Sequence, residues 1–142
     1  MTFQTDRRSP EIRELQAIPS VALTFHDRRR RLQLRACGRA AVHFAGPLFE
    51  AGWARCGPGG RRSYVGPHAP SSPSEGWSPN LPAALVGRMP DRTESEAGRA
   101  HFAVVAVKIE TMDLLLLERA GRRRARYARR GGSGWSAEWL QP

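Results

Sequence analysis

Apolar and polar residues alternate along two neighbouring stretches in the first third of the chain. Val21 to His26 places Val, Leu and Phe on one face of an extended backbone, and Leu32 to Phe44 alternates in the same way. Alternation with a period of two predicts strands with one buried face. The polar run Arg28 to Arg31 predicts a turn, so the two strands are expected to form an antiparallel hairpin. Gly38 predicts a bulge or the close approach of another backbone.

Helical spacing begins ahead of this hairpin. Ser9 is a suitable N-cap, and Pro10 suits the first helical position because it needs no backbone N–H partner there. Apolar residues then recur at three-residue steps and predict a buried stripe. The stripe consists of Ile12, Leu15 and Ile18.

Two further helices are predicted by shorter patterns. Pro47 to Cys56 is expected to be helical, and Thr93 to Arg99 is expected to be a short helix opened by a capping box over Thr93 to Glu96. The residues expected on the inner side of the first of these helices are Leu48, Phe49, Gly52 and Trp53.

Between these two helices the composition changes. Gly57 to Pro90 is rich in Gly, Pro and Ser, which predicts a long loop. The side chains expected to anchor this loop are Trp77, Leu81 and Leu85.

The last third of the chain is dominated by strand patterns. Phe102 to Thr111 is rich in Val and Ile and predicts a strand, with a break expected at Met112 and Asp113. Tight turns are expected at Ala120 with Gly121 and at Gly131 to Gly134, and these predict an antiparallel meander. The further strands are Leu114 to Glu118, Arg122 to Arg129 and Trp135 to Leu140. The expected fold is therefore mainly β, of the α+β kind: one domain over residues 1–142, a small antiparallel barrel or sheet with two or three helices packed on it.

The amino-acid composition limits the kinds of function that this protein can have. The 142 residues carry a formal charge of +10, and Lys108 is the only lysine among 23 basic residues. A basic balance favours a polyanion partner such as nucleic acid, but an arginine excess beside much Ala, Gly and Pro also fits a coding bias. The longest run of leucine, isoleucine or valine, Leu114 to Leu117, is far shorter than the ~20 residues of a membrane helix. The opening residues have no apolar segment of the secretory type, so a cytoplasmic protein is expected.

Most catalytic motifs are missing from the sequence. The four histidines are scattered, Cys37 and Cys56 have no CxxC spacing, and no GxSxG elbow occurs, so neither a metal site nor an activated nucleophile is predicted. The run GPGGRRS, Gly57 to Ser63, lacks the order of a phosphate loop and is expected to be a surface loop.

Two arginine-containing segments are candidates for anion binding. From Thr5 to Ser9 a strand end runs into a helix N-terminus, where Arg7, Arg8, a hydroxyl and free N–H groups form a plausible phosphate cradle. An ordinary capped helix start explains that segment equally well. On the strand Arg122 to Arg129, period-two geometry places Arg122, Arg124 and Arg126 on one face. Such a face fits either an anion site or a solvated edge strand.

Four segments in this order resemble the pyridoxamine 5′-phosphate oxidase-like family of FMN-binding split barrels, and its short bacterial branch in particular. The match spans most of the chain, although the Gly- and Pro-rich middle aligns loosely. FQTDRRSPEI resembles the family's Phe-x-Thr-Asn/Asp-x-x-Ser-Arg-Lys segment, and PSVALTFHD resembles its Pro-x-Val-x-Leu-x-Phe strand. RLQLRACGRA resembles its Gln-Val-Arg-x-x-Gly-x-Ala strand, and Val107 to Pro142 resembles its final meander, with Trp135 and WLQP matching the closing Trp…Leu-x-Pro.

The resemblance implies a homodimer that holds FMN at the subunit interface and acts on a small-molecule substrate. Carried over by position, Thr5 and Ser9 lie in the phosphate-binding turn with Arg7 and Arg8 nearby, and Gln33 contacts the flavin. Arg126 lies beside the isoalloxazine, and Arg61 stands where the family has a residue pair near the flavin. The substrate positions are Arg122 and Arg124, the latter in place of the family's histidine.

The chain also departs from the family pattern. The Arg-Lys pair after the serine is Pro10-Glu11, which removes two phosphate cations and adds a carboxylate. The residue after the substrate position is Ala125 rather than Asp, and the expected tryptophan is replaced within Leu114-Leu115. Members normally carry a helix and one or two strands ahead of the Phe-x-Thr segment, so the expected barrel lacks its first strands.

The resemblance and the basic charge together leave three functions open. The first is an FMN-dependent oxidoreductase that transfers a hydride to the flavin N5. The second is a non-catalytic or vestigial flavin-binding protein, which the lost positions favour. The third is a basic nucleic-acid-binding protein. It would need aromatic residues among the arginines, and Tyr127 is the only one between Arg122 and Arg130.

Overall fold

The structure is a computed structural model that describes residues 1–131 and 134–142. Gly132 and Ser133, in the turn predicted at Gly131 to Gly134, lie outside the described residues. The chain divides into two compact units. The sheet unit consists of Met1, Pro19–Ala40 and Val107–Pro142, and the mixed unit consists of Thr2–Ile18 and Ala41–Ala106.

The strands form one antiparallel sheet in the order β2-β3-β4-β5-β6, with β1 pairing β4. Their bounds are β1 Thr2–Asp6, β2 Ser20–Asp27, β3 Leu32–His43, β4 Phe102–Glu118, β5 Gly121–Arg129 and β6 Trp135–Leu140. The predicted hairpin is confirmed, since Val21 pairs Gly38 and His26 pairs Gln33. The strands predicted at Arg122 to Arg129 and at Trp135 to Leu140 are confirmed as well.

The break predicted at Met112 and Asp113 is wrong. β4 runs without interruption for 17 residues. Met112 and Asp113 both lie in the ladder with β5, where Asp113 is opposite Arg126. A carboxylate inside a strand is tolerated here because a cation on the neighbouring strand faces it.

Gly38 confirms the prediction of a close backbone approach. A Cβ built on this residue would lie 2.1 Å from the Lys108 carbonyl oxygen and 2.9 Å from the Ile109 Cα. Only glycine leaves enough room for the backbone of β4 at this point.

The mixed unit contains the helices and β1. Strand β1 pairs Phe102 to Ala106, the part of β4 that belongs to this unit. The helices are α1 Pro10–Ala17, α2 Pro47–Arg55, α3 Pro58–Arg61 and α4 Arg92–Glu96. Single 3₁₀ turns lie at Arg62–Tyr64, Ala83–Leu85 and Ala97–His101. The stretch predicted as one long loop is therefore partly helical.

The core of the mixed unit is built around Phe102. Its ring makes edge contacts with the rings of Phe49, Trp53 and Tyr64, at centroid distances of 5.3, 5.0 and 5.1 Å. Edge-to-face packing places the positive ring edge of one aromatic against the negative face of another. Burial from water raises the pKa of Tyr64 to about 12, with smaller contributions from Cys56 and Asp6. These contacts confirm that Phe49 and Trp53 lie on the inner side of α2.

Several predicted core positions are exposed instead. In the stripe predicted for α1 only Ile12 is buried, and Ile18 is 70% exposed because the helix ends before it. Leu48 lies on the outer side of α2, and Trp77 is 91% exposed and anchors nothing. Leu85 is buried as predicted.

The predicted capping box is displaced by two residues along the chain. The carboxylate of Asp91 accepts a hydrogen bond from the backbone N–H of Glu94, and the Glu94 side chain accepts one from the backbone N–H of Asp91. The helix therefore begins at Arg92, and the box at Thr93 to Glu96 is wrong. Aspartate is at least as good an N-cap as threonine.

No helix in residues 1–131 and 134–142 is long and apolar enough to cross a membrane.

Candidate functional site

The turn between β1 and α1 is held by backbone hydrogen bonds inside the mixed unit. The N–H of Arg7 donates to the His101 carbonyl at 2.7 Å, and the N–H of Ser9 donates to the Asp6 carbonyl at 2.9 Å. Ser9 is the N-cap residue, with Pro10 following it in the first turn, as predicted. Its buried hydroxyl makes no capping bond to the helix backbone.

The two arginines of this turn do not converge on the helix N-terminus. Arg8 donates from Nε and Nη2 to the carboxylate of Asp6 at 3.0 and 2.7 Å, and from Nη1 to the Gly66 carbonyl at 2.9 Å. The guanidinium of Arg7 lies over the ring of Phe44, 4.8 Å from its centroid. The charge of Arg8 is therefore already balanced by Asp6.

The two hydroxyls of the predicted phosphate cradle do lie together. Thr5 Oγ1 is 3.4 Å from Ser9 Oγ. The Thr5 hydroxyl also donates to the Glu11 carboxylate. The hydroxyls and the positive end of the helix suit an anion, but Glu11 repels one. Because Glu11 is exposed, its side chain can turn into solvent, and the cradle fits a phosphate only in that arrangement.

The side chain of Arg61 is surrounded by other protein groups and does not face a binding site. It is 4% exposed, and its guanidinium carbon lies 4.2 Å from the ring centroid of Trp53. It donates to the carbonyls of Cys56 and Trp53 at 2.7 and 2.9 Å and pairs with the Glu96 carboxylate. Its hydrogen bonds are directed into the core, so the structure does not bring Arg61 together with the other candidate residues.

The remaining candidates lie on one face of the sheet unit. Arg122, Arg124 and Arg126 alternate along β5, and Gln33 is exposed on β3. In the register with β4, Arg122 is opposite Leu117, Arg124 is opposite Leu115, and Arg126 is opposite Asp113. We refer to this surface as the arginine face. Its members are Gln33, Arg35, Cys37, Thr111, Asp113, Arg122, Arg124 and Arg126.

A cavity of about 420 Å³ opens on the arginine face. Its lining consists of Arg35, Cys37, Thr111, Met112, Asp113 and Arg126. Arg35 and Asp113 are absent from the residues predicted by sequence. Arg35 shares a strand face with Gln33, and this spacing could have identified it. Asp113 was hidden by the break predicted in its strand.

The charges on this face are partly paired. Arg124 donates from Nε to Asp113 Oδ1 at 2.9 Å and from Nη2 to Oδ2 at 2.8 Å. Arg126 Nη1 lies 3.6 Å from Glu138 Oε1, and both side chains are at least half exposed. The hydrogen bonds from Arg124 lower the pKa of Asp113, and the charges of Arg124, Arg126 and Arg35 lower it further. Asp113 therefore stays ionised at neutral pH, and the face keeps a fixed mixture of charges.

The lowered pKa of Asp113 predicts how the stability of the protein depends on pH. The stabilisation from the Asp113 carboxylate is complete above its ordinary pKa of 3.8 and is lost as the pH falls through the lower folded value. Asp113→Asn is expected to lower the urea midpoint at about pH 7 and to have a smaller effect as the pH approaches about 3. Glu110→Gln removes an exposed carboxylate of the same strand and is the matched control. A midpoint difference that stays constant with pH would contradict the pairing.

Among the described residues, no three His, Cys, Asp or Glu side chains are grouped to hold a metal ion.

Two of the solved structures that resemble this chain illustrate the likeness. One is a pyridoxamine 5′-phosphate oxidase-related, FMN-binding protein from Nostoc punctiforme, with a TM-score of 0.76 and 20% identity over 99% of this chain and 71% of that chain. The other is PhzG from Burkholderia lata in complex with tetrahydrophenazine-1-carboxylic acid, with a TM-score of 0.67 and 19% identity over 99% of this chain and 68% of that chain. No protein-family model and no curated protein matches the sequence. The likeness confirms the predicted fold class, a mainly β antiparallel split-barrel fold of the pyridoxamine 5′-phosphate oxidase-like kind.

Proposed function

We propose that this chain binds FMN and works as a flavin-dependent oxidoreductase. The observation that carries the proposal is the arginine face, where Arg126 and Gln33 present hydrogen-bond donors on the sheet of a fold shared with an FMN-binding protein. When bound, FMN supplies a ring nitrogen that accepts a hydride from a substrate carbon and passes the electrons to oxygen or another acceptor. The substrate is a small molecule, and Arg122 is proposed as one of its contacts.

Each residue has a distinct part in the proposal. Arg126 places a permanent positive charge where negative charge develops on the reduced ring, and Gln33 donates a hydrogen bond to the ring. Arg124 is proposed to help position the substrate, and its own guanidinium is held in place by Asp113. Thr5 and Ser9 are proposed for the phosphate, and Arg7 is left out because its guanidinium lies over the ring of Phe44. Arg61 and Arg8 are left out because their guanidiniums are committed to other partners.

A homodimer and a cytoplasmic location complete this proposal. β6 is a terminal strand of the sheet and carries two exposed tryptophans on one face, Trp135 and Trp139. Exposed aromatic side chains on an edge strand support pairing with a second copy. Both cysteines are free thiols, which suits a reducing compartment. Sedimentation of the wild type and of Trp139→Ser tests the dimer.

A non-catalytic flavin-binding protein is the second candidate, favoured by the Glu11 carboxylate in the phosphate turn. The visible spectrum of the purified protein, before and after FMN is added, separates the two. A bound flavin that bleaches with an amine or nicotinamide donor supports the enzyme, and one that no donor reduces supports the binding protein. The nucleic-acid candidate has less support, because Tyr127 alternates with Arg126 and so lies on the opposite strand face. Absence of flavin, together with strongly salt-dependent DNA or RNA binding, would overturn both flavin proposals.

Arg126→Ala is expected to weaken FMN binding by roughly tenfold or more, since a hydrogen bond to a charged group contributes about 1.5–3 kcal/mol. Arg129→Ala is the control, because Arg129 is an exposed arginine of the same strand on the opposite face. Dissociation constants from flavin fluorescence quenching measure both. Equal losses in the two variants would show that the flavin does not lie on the arginine face.

A further inference from the structure

Apart from Arg126, the groups that line the cavity on the arginine face have no part in the proposed flavin contacts. Arg35 and Arg126 contribute guanidiniums, Asp113 a carboxylate, Thr111 a hydroxyl and Cys37 a thiol. A volume of about 420 Å³ lies within the usual range for small-molecule sites. The cavity lies entirely within the sheet unit.

The charge balance of this cavity favours an anion. Among the described residues the Asp113 carboxylate pairs directly with Arg124 alone, so it offsets the charges of Arg35 and Arg126 only at longer range. The distance of 3.6 Å from Arg126 to Glu138 is too long for a good hydrogen bond, and the pair is exposed to solvent. None of the ion pairs among the described residues uses Arg35.

The same groups indicate which charge the anion carries. Of the lining residues, Arg35 and Arg126 are cations and Asp113 is a carboxylate, so the lining keeps one positive charge. A monoanion balances that charge, whereas a dianion leaves an excess negative charge beside the Asp113 carboxylate. Planar guanidiniums match the planar carboxylate group in geometry.

We propose that this cavity binds a small monocarboxylate through Arg35 and Arg126, and that such a carboxylate is the substrate class of this protein. The identification of the anion as substrate rests on the proposed function, but the binding itself does not. Asp113 positions Arg124, and the charge of Arg124 in turn reduces the repulsion between the Asp113 carboxylate and the ligand.

The reactivity of the Cys37 thiol can report whether a ligand occupies the cavity. The thiol is half-buried in the lining, and the other cysteine of the chain, Cys56, is buried in the core of the mixed unit. Burial raises the pKa of the Cys56 thiol, which makes it a slow internal control. In alkylation the thiolate sulfur bonds to the reagent carbon and iodide leaves. Iodoacetate carries a carboxylate where iodoacetamide carries a neutral amide, and their intrinsic difference in reactivity cancels when wild type and variant are compared.

The experiment compares alkylation of Cys37 by equimolar iodoacetate and iodoacetamide in the protein as purified, read by peptide mass spectrometry. The ratio of carboxymethylated to carbamidomethylated Cys37 is expected to fall several-fold in Arg35→Gln and to be unchanged in Arg129→Gln. Sodium benzoate is expected to protect Cys37, while benzamide at the same ionic strength is expected to leave it reactive. Calorimetric titration with benzoate measures binding to the protein directly and does not depend on the reactivity of the thiol.

A ratio that is the same in wild type and Arg35→Gln, together with no benzoate heat, would overturn the site. Stronger protection by inorganic phosphate than by benzoate would overturn the carboxylate class. These measurements need no flavin, so their failure is distinct from the failure of the FMN titration. Benzoate binding in a protein that takes up no FMN supports the cavity and contradicts only the flavin proposal.

Discussion

Gly38→Ala is expected to lower the free energy of unfolding by about 3 kcal/mol, the upper part of the range for overpacking a well-packed site. The added methyl carbon would lie 2.1 Å from the Lys108 carbonyl oxygen, far inside van der Waals contact. That oxygen belongs to the backbone of β4 and cannot rotate away as a side chain would. Relief requires β3 and β4 to move apart, which weakens their pairing.

Urea denaturation of wild type and variant measures this loss, and Gly76→Ala is the control. A Cβ on Gly76 meets nothing within 4 Å, so this variant is expected to change stability by less than about 0.5 kcal/mol. The larger Gly38→Val should be more destabilising still. Equal stability of Gly38→Ala and Gly76→Ala would mean that the two strands are not in close contact at Gly38.

Arg61→Ala is expected to cost a similar amount, about 3 kcal/mol, because it breaks a buried charge network. The substitution leaves the buried carbonyls of Cys56 and Trp53 without their donor and removes the cation from the Trp53 ring. The partner carboxylate of Glu96 is about half exposed, so water can take over part of its hydrogen bonding.

Two further variants test whether the loss of stability comes from the whole hydrogen-bond network of Arg61 or only from the removal of a positive charge. Arg55→Ala removes an exposed arginine of the neighbouring helix α2 and is expected to change stability by less than about 0.5 kcal/mol. Arg61→Lys keeps the charge but not the planar fork, so it is expected to recover only part of the loss. Tryptophan fluorescence in urea reads all three, since Trp53 lies in the core. Full recovery in Arg61→Lys would show that charge alone matters.

Local patterns were sufficient for much of the fold. The hairpin of β2 and β3, strands β5 and β6, and helices α1 and α2 were all predictable, because each rests on alternation, three-residue spacing or a proline at a helix start. Gly38 was also interpretable, since a glycine inside a strand often marks a bulge or a closely approaching backbone. The same local reasoning misplaced the capping box, because Asp91 and Thr93 are both acceptable N-caps and only the backbone selects one.

The candidate site was predictable only in part. The arginines of β5 share a face by strand geometry, so that feature needed no tertiary information. Arg35 and Asp113 were missed because their importance depends on three strands meeting at one cavity. Arg61 lies in a run predicted as a surface loop, since nothing in GPGGRRS indicates that its guanidinium packs on Trp53 and pairs with a residue 35 positions later.

The sequence by itself therefore determined most of the strands, two of the helices, the basic charge and the shared face of Arg122, Arg124 and Arg126. These depend on residues within a few positions of each other, where backbone geometry alone decides which side chains are neighbours. Only the tertiary structure decided which arginines are paired, which aromatic side chains are buried and where a cavity opens. Those outcomes depend on residues far apart in the chain. A guanidinium is committed to the first carboxylate or carbonyl that the fold brings within hydrogen-bond distance, and no local pattern encodes that partner.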